Sequence, residues 1–199
     1  GRCTIRNICR ACIMNTDNIE RYLNSFGKQV VRDAKIELAA SKDSMGKARG
    51  NTALGNSIRV EVVPTDIGFD TKFYMDDYGT YLDEGVSGNK NQVSFTDYKG
   101  KKKISSYKYT TKGPPIDILS KWIKKKGIKP KGLGRGRSKN TGQYISGFAY
   151  LISRKIKRDG IKSIGFFQQP LGVGLKQLDR NFLKEVTLDI QQYLTTYTK

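Results

Sequence analysis

The chain contains no histidine. That removes the commonest general base, the commonest transition-metal ligand and every Ser–His or Cys–His nucleophile pair. Carboxylate and lysine chemistry survive the loss, yet the sequence reads as that of a non-enzyme with no cofactor. Cysteine is scarce and confined: Cys3, Cys9 and Cys12 all lie ahead of Met14. Cys9 and Cys12 have CxxC spacing, but a tetrahedral zinc site needs four ligands and none follows nearby. An odd count without partners elsewhere also builds no disulfide framework. Long apolar runs are missing as well. None approaches the ~20 residues that span a bilayer, and no secretory apolar segment precedes a cleavage-like site, so a soluble protein with no membrane contact is expected.

Acidic residues are the next shortage: 18 Asp and Glu face 37 Lys and Arg, a formal net charge of +19. The imbalance is local. From Lys99 to Lys139 fifteen Lys or Arg stand against the single acid Asp117, whereas from Asn15 to Tyr98 thirteen acids slightly outnumber ten bases. The molecule is electrically polarised along its sequence, which bears on partners rather than on fold. At 199 residues, 37% hydrophobic and 28% charged, the chain has room for one substantial domain plus arms or partner-buried surface. Residues 14–199 are read as that domain, with a basic insertion over 87–113 and a basic loop over 128–140. Residues 1–13 show no clear periodicity, and Met14 is read as the natural start after an upstream extension or disordered tail.

Apolar periodicity then sets out the elements. Ile19, Tyr22, Leu23, Phe26, Val30, Ala34 and Leu38 repeat at three and four, predicting a helix over Asn18–Ala40 with Asp17 as N-cap and Glu20 completing a capping box. Ser41 to Asn56 reads as a mobile loop. Ile58, Val60 and Val62 alternate with polar residues, and Ile67, Phe69, Thr71 and Phe73 alternate after Pro64-Thr65-Asp66, predicting an antiparallel hairpin. A short helical segment should carry Tyr78, Tyr81 and Leu82, closed by Gly85. Asn91–Tyr98 and Ile104–Thr110, joined by Lys99-Gly100-Lys101-Lys102-Lys103, read as a second hairpin projecting as a basic arm. Pro114-Pro115 opens a helix through Lys126 that Gly127 ends, with Ile116, Leu119 and Ile123 as its stripe and Trp122 beside it. Lys129–Lys139 reads as a flexible basic loop. Thr141 should cap a helix carrying Tyr144, Ile145, Phe148, Ile152 and Ile156, ended by Gly160. An extended piece over Ile161–Gln168 leads to a final helix striped by Leu175, Leu178, Phe182, Val186, Ile190 and Leu194. The order defines an α+β fold: an antiparallel sheet with packed helices, terminal helices and a projecting basic hairpin.

Four carboxylates, Asp76, Asp77, Asp83 and Glu84, crowd around Tyr78 and Tyr81. Hard oxygen ligands suit a divalent cation, but the run lacks the spacing of a calcium loop and no second acidic cluster follows. The favoured reading is a solvated or partner-facing surface, its tyrosines and Leu82 anchoring it and its acids turned outward. Lys101, Lys102 and Lys103, Lys124, Lys125 and Lys126, and Arg135 and Arg137 are candidates to contact phosphates or an acidic partner, with Tyr98, Tyr107 and Tyr109 placed to stack on bases. Gly132-Leu133-Gly134-Arg135-Gly136 fits neither a Walker loop nor a dinucleotide turn and reads as a linker.

The assembled pattern resembles the neck or tail-completion (head–tail connector) proteins of tailed bacteriophages. In that family a strand runs into a short motif that Tyr78, Tyr81, Glu84 and Gly85 match, and a Gly-Ile-x-x-x-x-Phe-Phe segment, matched by Gly160, Ile161, Phe166 and Phe167, precedes the last helix. The resemblance covers about residues 15–194. It implies a virion structural protein without enzymatic activity, assembled in the host cytoplasm as a homo-oligomeric ring that bridges portal and tail or caps the tail tube. Tyr78, Tyr81, Asp83, Glu84 and Gly85 would then be interface positions, and packaged DNA a possible contact. The basic stretch Ser87–Gly113 departs from the family and suits reaching a neighbouring subunit. Two other readings stand beside it: a sequence-nonspecific DNA-binding accessory protein, and a metal-dependent nuclease using the acids from Asp76 to Glu84.

Overall fold

Helical spacing of apolar residues near the N-terminus is realised as α1, Asp17–Ala40, which buries Ile19, Val30, Val31, Ala34 and Leu38. The structure, a computed structural model, describes residues 16–43, 46, 48–65, 68–128, 135–137 and 144–197. After α1 come α2 (Ala53–Ser57), β1 (Arg59–Thr65), β2 (Gly68–Tyr74), α3 (Tyr78–Glu84), β3 (Val86–Ser87), β4 (Ser94–Thr96) and β5 (Lys102–Ile104). Then follow α4 (Ile116–Lys125), β6 (Arg135–Arg137), β7 (Tyr144–Ser146), α5 (Gly147–Asp159), β8 (Gly160–Ile161) and α6 (Gln168–Tyr197). The fold is α+β. Among the described residues its strands pair antiparallel as four two-stranded ladders, β1–β2, β3–β8, β4–β5 and β6–β7. The chain folds as two units: the described residues up to Asp76 with those from Gln169 onward, and Asp77–Gln168. The proposed start at Met14 and the three cysteines lie outside the described residues.

In the first unit α1 packs on the β1–β2 hairpin and on α2. The hairpin runs in register from Arg59↔Tyr74 to Thr65↔Gly68. Pro64 therefore sits inside β1 rather than in the turn, and Asp66 lies outside the described residues. The stretch expected as a loop up to Asn56 contains α2, because Thr52 supplies an N-cap whose Oγ1 accepts the Gly55 N–H at 3.1 Å. Leu54 and Ile58 are buried there with Leu38.

The expected capping box on α1 does not form. Asp17 is the first helical residue, and the preceding Thr16 makes no side-chain cap bond. The fully buried carboxylate of Asp189 on α6 serves instead: it accepts the N–H of Ile19 at 3.0 Å and that of Asn18 at 3.4 Å, with Asn18 Nδ2 at 2.7 Å. These are the second and third N–H groups of the helix, the ones a local cap would take. Tyr22 of α1 and Phe182 of α6 meet with ring centroids 6.3 Å apart.

In the second unit α4 packs against α5 and β3 pairs with β8. Pro115 precedes the first residue of α4, and Gly127 follows it at φ 65°, as the proline–glycine punctuation predicts. Among the described residues of this unit Val86, Ile123, Ala149 and Phe166 are the buried apolar ones. Two expectations shift. Tyr144 and Ile145 belong to β7, which pairs with Arg135–Arg137, so α5 begins at Gly147; Thr141 lies outside the described residues. The last helix begins early, at Gln168, with Pro170 tolerated in its first turn.

Candidate interface

The helix α3 carries most of the acidic and aromatic run; Asp76 and Asp77 precede it and are exposed, as expected of the acids, but the face it buries differs from the expected one. Gly79 and Asp83, four positions apart, form its buried face, while Tyr78 and Tyr81 are each 45% exposed. Asp83 is only 3% exposed. Its Oδ1 accepts the Phe167 N–H at 2.8 Å, and Gln168 N–H also reaches the carboxylate, so an acid 84 positions upstream caps the N-terminus of α6. The Asp83 carbonyl accepts the Gly165 N–H at 3.1 Å and the Ser163 hydroxyl at 2.6 Å. Burial pushes the Asp83 carboxyl above its ordinary value, against the pull of the two N–H groups.

The remaining acids diverge. Glu84 accepts the Ser106 hydroxyl at 2.9 Å, and the Asp76 N–H donates to Ser57 Oγ at 3.0 Å within the first unit. Among the described residues no three of His, Cys, Asp and Glu converge into a group that could hold a metal. Gly85 is required by geometry: at φ 76°, a Cβ on it would lie 2.6 Å from both the Ile161 carbonyl oxygen and the Ser163 nitrogen. Its own carbonyl accepts the buried Ser105 hydroxyl at 2.6 Å.

The tyrosines expected to stack on bases have mostly local partners. Tyr107 packs on Tyr81 at 4.3 Å between centroids and meets Thr80 Oγ1 through its hydroxyl at 3.2 Å. Tyr109 is half-buried, which raises its phenol above the ordinary value, and its N–H donates to the Ser87 carbonyl. Tyr98 is exposed, with the Lys99 ammonium 5.5 Å from its ring centroid.

The basic positions separate by role. The second hairpin is β4 paired to β5, with Ser94↔Ile104 and Thr96↔Lys102. It does not stand free as a projecting arm. At its turn the buried Asp97 accepts the N–H groups of Lys99 and Lys101, each at 2.9 Å, and pairs with the Lys103 ammonium at 2.9 Å. The Tyr98 N–H donates to Gln168 Oε1 at 3.0 Å. Lys103 is thus committed inside the unit, and its hydrogen bond holds the Asp97 carboxyl below the ordinary value. Lys101 and Lys102 remain exposed, as do Lys124, Lys125 and Lys126 at the end of α4. Arg135 and Arg137 lie on β6, part of the stretch expected as a flexible loop; their side chains, and the rest of that loop, lie outside the described residues. What sequence reasoning missed is Asp189 altogether, and the burial of Asp83, one of the acids expected to face outward. No family model, curated protein or solved structure matches the chain.

Proposed function

We propose that the chain is a protomer of a ring in the neck of a tailed-phage virion, bridging portal and tail without catalysing a reaction. The observation that carries the reading is the meeting of the two segments on which the resemblance rests. Val86, just after Gly85, pairs with Ile161; the Asp83 carboxylate holds Phe167; and Gly85 lies against the backbone of Ile161 and Ser163. Residues far apart in sequence thus meet in one contact, which supports reading the two segments together.

Further support comes from what that arrangement leaves uncovered. Tyr78 and Tyr81 offer exposed aromatic surface, the kind enriched at protein interfaces. On α6 Leu183 is 67% and Ile190 42% exposed, seven positions apart on one face, and the neighbouring protomer is the occupant proposed for it. Head-to-tail contact between an aromatic surface and the cationic end of α4 closes into a ring when the rotation closes. Native mass spectrometry of the purified chain, alone and with the portal of its particle, tests the reading, with crosslinks from Lys101 and Lys124 in intact particles. Absence from particles and no association with the portal at any salt concentration sink it.

A further inference from the structure

Most of the charge excess belongs to one unit. Over Asp77–Gln168 there are 21 Lys and Arg against six Asp and Glu. Most of those acids are already engaged: Asp83 on the Phe167 N–H, Asp97 with Lys103, Glu84 with Ser106, and Asp159 in a bidentate pair with Arg158 at 2.8 and 2.9 Å. The unit therefore presents cations whose nearby acids are largely consumed internally.

Five of these cations, Lys90, Arg154, Lys155, Lys157 and Arg158, line a groove of about 830 Å³ beside the C-terminal half of α5, together with Tyr150 and Leu151. Its backbone is pinned. The N–H groups of Asn89, Lys90 and Asn91 donate to the carbonyls of Lys157 and Arg158 at 2.8 to 3.3 Å. Gly88 lies so close that a Cβ would sit 2.1 Å from the Arg158 oxygen. The consequence is electrostatic as well as steric. The last carbonyls of a helix ordinarily repel an anion, and here the 89–91 amides occupy two of those of α5. Lys157 is engaged too, donating to the Thr111 carbonyl at 2.6 Å. Lys90, Arg154 and Lys155 are left lining the groove, with the Arg154 guanidinium 5.8 Å from the ring centroid of the half-exposed Tyr150.

We infer that this groove binds single-stranded nucleic acid, Lys90, Arg154 and Lys155 on the phosphates and Tyr150 with Leu151 against a base. Cations alone would suit any polyanion. An exposed aromatic and an exposed leucine among them suit unstacked bases, which a duplex backbone does not offer. The inference stands independently of the ring reading, since it concerns one unit of a single protomer.

Fluorescence anisotropy of the full chain with a labelled oligothymidylate, over a salt series, tests it. The Lys90→Ala/Arg154→Ala/Lys155→Ala variant is expected to flatten the log–log salt slope by about 2 units, from ~0.7 per phosphate lost. Tyr150→Ala is expected to weaken binding about tenfold at every salt with the slope retained. A Lys28→Ala/Lys35→Ala control in the other unit leaves the slope unchanged, and Arg154→Lys with Lys155→Arg retains it, which separates lost charge from lost folding. Equal binding by wild type and triple variant overturns the inference, as does equal affinity for polyglutamate at matched ionic strength. Duplex bound as tightly as the single strand, with no effect of Tyr150→Ala, also overturns it.

Discussion

Asp189 accepts the backbone N–H of Ile19 at 3.0 Å across 170 positions of sequence, so α6 supplies the cap that the start of α1 lacks. Removing it leaves two helix-start amides without their acceptor. Asp189→Ala should therefore cost about 1–3 kcal/mol in urea unfolding. Thr16→Ala, at the position where a local cap would sit, should change stability by less than about 0.5 kcal/mol. Equal costs for the two would show that the long-range cap contributes nothing.

Asp83 performs the same service for α6, but its titration has the opposite sign from that of the paired acids. Its folded pKa is raised, so the native state holds the proton over a window where the unfolded chain has released it. Its contribution to stability therefore falls as pH rises from the ordinary carboxylate value through the raised one. Asp97, held low first by its hydrogen bond to Lys103, contributes stability above the ordinary value that is lost as pH drops through its lowered value. The variant Asp83→Asn keeps an acceptor and loses the charge. Its stability relative to wild type should rise as pH climbs above about 4, while that of Asp97→Asn should stay level there and rise only as pH drops below about 4. Parallel curves for the two variants would contradict both assignments.

How much of this was legible follows from where each element finds its partners. α1, α4 and the β1–β2 hairpin came through because their periodicity reports a face that every plausible packing would bury. Capping did not come through, since Asp17 and Glu20 form a local pattern whose work Asp189 does from another helix. The orientation of α3 misled for a related reason. Tyr78, Tyr81 and Leu82 are the apolar letters, yet the start of α6 needs an acceptor, and that need turns Gly79 and Asp83 inward. Tyr144 and Ile145 continue the helical spacing of α5, but a strand partner at Arg135–Arg137 takes them, and pairing of that kind leaves no mark on local periodicity.

The two exposed tyrosines of α3 should separate assembly from folding. Tyr81 packs on Tyr107, so Tyr81→Ala should cost about 0.5–1.5 kcal/mol of stability beyond lost area. Tyr78→Ala should leave stability within about 0.5 kcal/mol of wild type and lower the oligomeric fraction seen by native mass spectrometry. An unchanged oligomer distribution in Tyr78→Ala would remove Tyr78 from the proposed interface.

Gly85 and Gly100 share almost the same backbone angle, φ 76° and 77°, in different surroundings. A Cβ on Gly100 meets nothing within 4 Å, whereas one on Gly85 lies 2.6 Å from the Ile161 carbonyl oxygen. Gly100→Ala should therefore cost only the left-handed backbone term of about 1–2 kcal/mol. Gly85→Ala adds a clash with backbone that cannot swing aside as a side chain can, and it forces β3 away from β8, where Val86 pairs with Ile161. With ψ at −179° Gly85 also lies in a region nearly reserved for glycine, so the difference between the two variants in urea unfolding reports that backbone together with the close approach of the two motif segments. It should exceed about 1 kcal/mol, with hydrogen exchange at Val86 and Ser87 accelerated in Gly85→Ala alone. Equal costs would mean that the contact between the segments is loose, and the observation that carries the ring reading would lose its force.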